Sequence, residues 1–174
     1  MRILTILSLT LLFSFAAFAQ QSTGTAAQNF SVSTINDEAI DLKQLKGKVV
    51  VMTFWSTRCR ICVSEIPDMN KLVEKYGTTD VVFLGMAWQD KKKLDVFLKK
   101  KPFQFKIVPQ SFGVLLKYAS RDSNGRLNMG FPSHFIIDQQ GTVVYKGEGF
   151  DKTKKIKKTI DKLLKDQPTV AASL

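Results

Sequence analysis

Only two cysteines occur in the chain of 174 residues, and they stand together as Cys59-Arg60-Ile61-Cys62. A C-x-x-C pair that follows a buried strand and opens a helix is equipped for thiol–disulfide exchange. Helix N–H groups and the helix dipole favour an anion at the first position, so Cys59 is expected to form a thiolate readily. Cys62 lies one turn further in, within reach to displace a mixed disulfide. Other chemistries fit these residues less well. A zinc site needs about four ligands, and the chain offers two cysteines and one histidine, His134. Covalent haem attachment needs a histidine directly after the second cysteine, where Val63 stands. As a structural crosslink the pair would close almost no loop and would add little to stability. Such a bond is suited to being made and broken.

Elements that could hold this pair are legible on either side. Val49 to Trp55 is a dense run of β-branched, apolar and aromatic residues, expected as a strand buried on both faces. Ile66, Met69, Leu72, Val73 and Tyr76 share one helical face, Gly77 ends that helix, and Pro67 predicts a kink within it. Val81 to Ala87 is a second buried strand. Leu94, Phe97 and Leu98 define an amphipathic helix that must stop before Pro102. Phe103 to Val108 is expected to be extended, Val114 to Tyr118 a short helix, and Arg121 to Asn128 a polar loop. His134 to Asp138 and Thr142 to Lys146 form a hairpin around Gln139-Gln140-Gly141. Lys152 to Lys165 is a closing helix with Ile156, Ile160, Leu163 and Leu164 inward. Ahead of all these, Phe30 to Ile40 alternates weakly, as in an edge hairpin. Parallel strands linked by helices, then an antiparallel hairpin, imply an α/β fold with a mixed sheet covered on both faces.

The first residues read as a targeting segment. Arg2 precedes an uncharged run from Ile3 to Phe18, and Ala17-Phe18-Ala19 supplies a small-x-small cleavage pattern. A short membrane anchor is the alternative. The expected organisation is 1–19 signal peptide, 20–29 flexible leader, 30–166 domain and 167–174 tail, in a protein exported to the bacterial periplasm. The net charge of +11 gathers in lysine runs, including seven lysines between Lys152 and Lys165. Aromatic residues do not interleave with them, so solvated helix faces are expected rather than a nucleic-acid site. Weak attraction to an anionic membrane surface is compatible with this balance.

Phe54-Trp55-Ser56-Thr57-Arg58-Cys59-Arg60-Ile61-Cys62 resembles the active-site run of thioredoxin-like proteins, and Glu65-Ile66-Pro67 resembles their exported TlpA/ResA branch. Gly130-Phe131-Pro132-Ser133-His134-Phe135-Ile136-Ile137-Asp138, followed by Gly141, resembles the family's second motif. The resemblance covers roughly Phe30 to Lys165. It implies a thioredoxin-like fold, a central mixed sheet flanked by helices, with a short N-terminal hairpin. It also implies that Cys59 is the exposed nucleophile and Cys62 the buried resolving thiol. Pro132, in a cis bond, and Phe131 would line the groove where a partner's cysteine docks.

Trp55, Arg58 and Arg60 are the further candidates for tuning and docking. Arg58 replaces a second tryptophan, and Arg60-Ile61 replaces the familiar Gly-Pro. Thr53 stands where many thioredoxins keep a buried aspartate. Asp80, at the start of the next strand, is read either as the substitute proton acceptor or as a solvated strand-end charge. His134 follows the second motif and is read as a strand residue without a catalytic role, an approach to the site being the alternative. The implied activity needs no dissociable cofactor and no metal. Its implied partners are cysteine-bearing exported proteins and a redox donor such as a membrane thiol–disulfide transporter. Reduction of apocytochrome cysteines is one implied role, and the protein is expected to be a monomer. A peroxiredoxin-like peroxidase and a metal carrier are the competing readings. The peroxidase pattern Pro-x-x-x-Thr-x-x-Cys meets Met52 and Ser56 here.

Mass spectrometry of the mature protein is expected to place its N-terminus at Gln20. An intact Met1 on membrane-bound material would instead mean an anchor.

Overall fold

Seven consecutive buried residues, Val49–Trp55, form the central strand of the protein, β3. The computed structural model describes residues 21–77 and 80–166. The expected signal peptide and C-terminal tail lie outside the described residues. Before β3 come β1 (Ser31–Ser33), β2 (Ala39–Asp41) and a 3₁₀ turn (Leu42–Leu45). After it follow α1 (Arg60–Tyr76), β4 (Val81–Ala87), α2 (Lys91–Lys100), β5 (Lys106–Val108) and α3 (Phe112–Tyr118). The chain then forms β6 (Ser120–Arg121), β7 (Leu127–Asn128), β8 (Ser133–Ile137), β9 (Val143–Glu148) and α4 (Thr153–Lys165).

The main sheet has the order β5-β4-β3-β8-β9. Strands β3, β4 and β5 are parallel, while β8 runs antiparallel to β3 and β9 antiparallel to β8. This is the expected mixed sheet of a thioredoxin-like fold. β1 and β2 make the expected N-terminal hairpin. Alternation along β3 sorts its side chains into two cores. Val49, Val51 and Trp55 pack with Ile66, Met69 and Leu72 of α1, Leu94 of α2, and Ile156 and Ile160 of α4. Val50, Met52 and Phe54 face Val114, Leu115 and Tyr118 of α3 on the other side. Helix α1 carries Pro67 inside it and is capped by Gly77, as expected.

Two segments are more ordered than their composition suggests. The segment expected to be a flexible leader is pinned along edge strand β9. The Gly24 N–H donates to Val143 O (2.8 Å), the Val143 N–H to Thr25 O (2.9 Å) and the Ala27 N–H to Gly141 O (2.8 Å). An edge strand's open backbone groups recruit such a partner whatever its side chains are. Within the expected polar loop, β6 and β7 pair as a minimal hairpin. The Asp122 side chain accepts the N–H groups of Asn124 and Arg126, and Gly125 supplies the left-handed turn with φ 75°.

Among the described residues no helix is long and apolar enough to cross a membrane. Helix α4 instead divides sharply, with Ile156 and Ile160 fully buried and most of its lysines in solvent. Denaturant unfolding should therefore show Ile160→Ala costing about 2–5 kcal/mol, and Lys158→Ala less than about 0.5 kcal/mol.

Candidate active site

β3 ends at Trp55, and the chain turns through Ser56, Thr57 and Arg58 before α1 begins. Hydrogen bonds fix this turn. The Cys59 N–H donates to Ser56 O (3.0 Å) and the Arg58 N–H to Ser56 Oγ (3.2 Å). Gln89, buried just after β4, holds the turn from the neighbouring strand end. Its Nε2 donates to Ser56 Oγ (2.8 Å), and its Oε1 accepts the Thr57 N–H (3.2 Å). Cys59 is the N-cap of α1, in extended conformation, and its Sγ accepts the Cys62 N–H at 3.1 Å. A free helix N–H thus points at the sulfur, as an incipient thiolate requires. The cysteines form a disulfide with their Cα atoms 5.2 Å apart. Cys59 is half-buried, while Cys62 is only 5% exposed, so the sulfurs differ in access.

A groove of about 690 Å³ opens over Cys59, lined by Ser56, Arg58, Trp88, Gln110 and Phe131 among others. Trp88 is 52% exposed and packs edge-on against Phe112 at 5.3 Å and Phe131 at 6.4 Å. Two aromatic rings, Trp88 and Phe131, therefore line the groove over the sulfur, with Phe112 packed against Trp88. Ser133 pairs with Phe54 across β3 and β8, which sets Pro132 level with Trp55, beside the cysteine turn. The Phe131–Pro132 peptide is cis.

The arrangement is that of a redox disulfide at a sheet end, under an open groove that sets two aromatic rings among polar and charged side chains. The model of the AhpC/TSA family matches residues 23–146. The chain belongs to this family. Within it, the chain is 34% identical over 134 residues to the thiol–disulfide oxidoreductase ResA of a Bacillus cereus strain, ZK, covering 76% of this chain and 73% of that protein. ResA of a second Bacillus cereus strain, ATCC 10987, is 28% identical over 153 residues, covering 86% and 83%. A thiol:disulfide interchange protein of the thioredoxin family from Chlorobium tepidum has the same fold, with TM-score 0.70 at 23% identity, over 84% of this chain and 99% of that one. This AhpC/TSA member is thus a ResA-type thioredoxin-like oxidoreductase.

The structure brings Cys59, Cys62, Arg58, Arg60, Phe131 and Pro132 to one end of the sheet. Two candidates stand elsewhere. Trp55 is 1% exposed and packs beneath the site on Phe97 and Phe103, because strand alternation turns it inward. It supports the turn and offers nothing to a partner. Asp80 is exposed and joins the opposite end of the sheet, where its carbonyl accepts the Val49 N–H at 2.7 Å. The length of β4 separates it from the cysteines, so it is the solvated strand-end charge.

The buried carboxylate near the pair is Glu65. It follows Cys62 by three residues on the inward face of α1 and is 5% exposed. Burial raises its pKa above the usual carboxylate value, against the lowering effect of backbone N–H groups from Asp151 and Lys152. Trp88, Gln89 and Phe112 were also missed. For Glu65 the available signal was a charged residue on the apolar stripe of α1. For Trp88 and Gln89 it was their position just past β4, at the same sheet end as Trp55.

Arg58 and Arg60 are both exposed and both flank Cys59. Their positive charge favours the thiolate, and hence the reduced form. Solvent screening limits an exposed charge to about 0.2–1 kcal/mol. In redox titration Arg60→Gln should lower the reduction potential by roughly 5–20 mV. An unchanged potential would mean that Arg60 does not tune the pair.

Proposed function

We propose that the protein works outside the cytoplasm as a dithiol reductant of cysteine-bearing exported proteins, apocytochromes with C-x-x-C-H segments among them. The observation that carries this reading is the inequality of the two sulfurs: Cys59 opens to an aromatic groove and accepts a helix N–H, while Cys62 is buried behind it. The Cys59 thiolate attacks one sulfur of a substrate disulfide, expelling the other as a thiolate. Cys62 then gives its proton to the Glu65 carboxylate, one helical turn away, and its sulfur attacks Cys59 in the mixed disulfide. The Cys59–Cys62 bond forms as the Cys59–substrate bond breaks, and the second substrate thiolate leaves. Two electrons pass from the protein to the substrate. A dithiol donor outside the chain, such as a membrane thiol–disulfide transporter, must then restore the reduced pair. No dissociable cofactor takes part, and a monomer suffices.

Export rests on the uncharged N-terminal run and Ala17-Phe18-Ala19, and the reductive direction rests on the resemblance to the exported TlpA/ResA branch. The AhpC/TSA match gives a thiol peroxidase reading some ground, but Met52 and Ser56 lack the Pro and Thr of the peroxidatic motif. Consumption of hydrogen peroxide by the purified reduced protein would favour it.

With an oxidised C-x-x-C-H peptide as substrate, the reduced protein should yield the peptide dithiol. Cys62→Ser should accumulate the peptide on Cys59 as a stable mixed disulfide, and Cys59→Ser should neither trap nor reduce it. Equal trapping by both variants would reverse the assignment of nucleophile. A wild-type protein that oxidises the peptide dithiol under glutathione poise would reverse the proposed direction.

A further inference from the structure

His134 and Thr53 are cross-strand partners in β8 and β3, and both face the layer of α1 and α4. Their side chains meet in the buried interior, with Thr53 Oγ1 and His134 Nδ1 3.0 Å apart. Beyond the ring, His134 Nε2 lies 4.0 Å from Glu65 Oε2. Neither of these two buried atoms has a hydrogen-bond partner. The other carboxylate oxygen, Oε1, accepts the Asp151 N–H at 2.7 Å. One buried donor-or-acceptor nitrogen thus faces one buried acceptor oxygen, and a shift of about 1 Å would join them at ordinary hydrogen-bond length.

A neutral imidazole carries one N–H, so the group on one nitrogen decides what the other can do. If the Thr53 hydroxyl donates to Nδ1, then Nε2 holds the hydrogen and aims it at Glu65. Burial and the charge of Lys152 push the pKa of His134 down to about 4, which keeps the ring neutral near pH 7. An N–H donor stabilises a buried carboxylate more than a buried carboxylic acid, because hydrogen bonds to a charge are the stronger ones. The other titratable or charged groups around Glu65 are Tyr145 of β9, Asp151 and Lys152 ahead of α4, and Cys62 on its own helix. Among these side chains, only His134 is set by a second buried hydroxyl.

We infer that His134, oriented by Thr53, is a positioning residue that holds down the proton affinity of Glu65. Together the two fill the role that a strand aspartate at position 53 would otherwise have. The inference rests on the proposed exchange only for its consequence, since Glu65 must be ionised to accept the proton of Cys62.

Carboxyl carbons of labelled glutamate in the oxidised protein, titrated by NMR and assigned with Glu65→Gln, test the coupling without any substrate. His134→Leu should move the Glu65 midpoint upward. His134→Gln, which restores an amide N–H near Nε2, should move it much less. Thr53→Val, which deletes only the hydroxyl, should move it in the same direction as His134→Leu. Resolution of a preformed mixed disulfide, followed as a function of pH, should slow in His134→Leu below its displaced Glu65 midpoint, reaching about tenfold per unit of displacement once the pH is under both midpoints. An unmoved midpoint in both His134→Leu and Thr53→Val, or equal displacement in the Leu and Gln variants, would overturn the inference. A displaced midpoint with unchanged resolution would uphold the coupling and remove Glu65 from the proposed exchange.

Discussion

The site depends on how β3 ends. Seven residues buried on both faces fix the strand in the middle of the sheet, and the chain must then turn at once into α1. Ser56 and Gln89 hold that turn, so one of the first helical N–H groups arrives at the Cys59 sulfur. The Cys62 N–H on Cys59 Sγ is the local result. The same turn leaves Cys59 half-buried at the helix end and sets Cys62 on the buried face of α1. The cost of ordering this turn is met by the strand and helix packed on either side of it.

Strand pairing then supplies the surroundings. The register that sets Ser133 against Phe54 also sets Thr53 against His134, one step further along. A single antiparallel alignment therefore delivers the cis-Pro132 to the sheet end that carries the cysteine turn and a buried polar pair to the layer beneath. Slipping it by one residue would turn His134 toward α3 and the α3-side core, and Glu65 would lose the imidazole that faces it. The aromatic groove has a separate origin. Trp88 comes from the connection after β4 and Phe112 opens α3 after β5, converging because parallel strands β4 and β5 end at the same edge as β3.

Much of this could be read in the sequence, for identifiable reasons. The apolar run at 49–55, the amphipathic stripes of α1 and α4, and the Gln139-Gln140-Gly141 turn each carry a strong local pattern. C-x-x-C carries its own chemistry. What escaped was what only three-dimensional pairing decides. Residues 21–29 look loose because their order comes from backbone bonds to β9 and from the buried Gln21 side chain, which ties together Thr25, Ala26 and Gln28. Trp55 and Trp88 are one residue type with opposite fates, since a strand covered on both faces buries the first and a loop exposes the second. Asp80 and Glu65 likewise exchange significance. The strand-end acid points to water, whereas the helix acid sits on the buried stripe a turn beyond Cys62.

The central claim is that the two sulfurs are chemically unequal, with Cys59 the one presented for attack. Competitive alkylation of the fully reduced wild-type protein by limiting iodoacetamide, read residue by residue by mass spectrometry, measures this most directly. The account predicts that Cys59 is modified well before Cys62 and that its rate persists to lower pH, as thiolate character and access together require. Equal rates, or faster modification of Cys62, would contradict it.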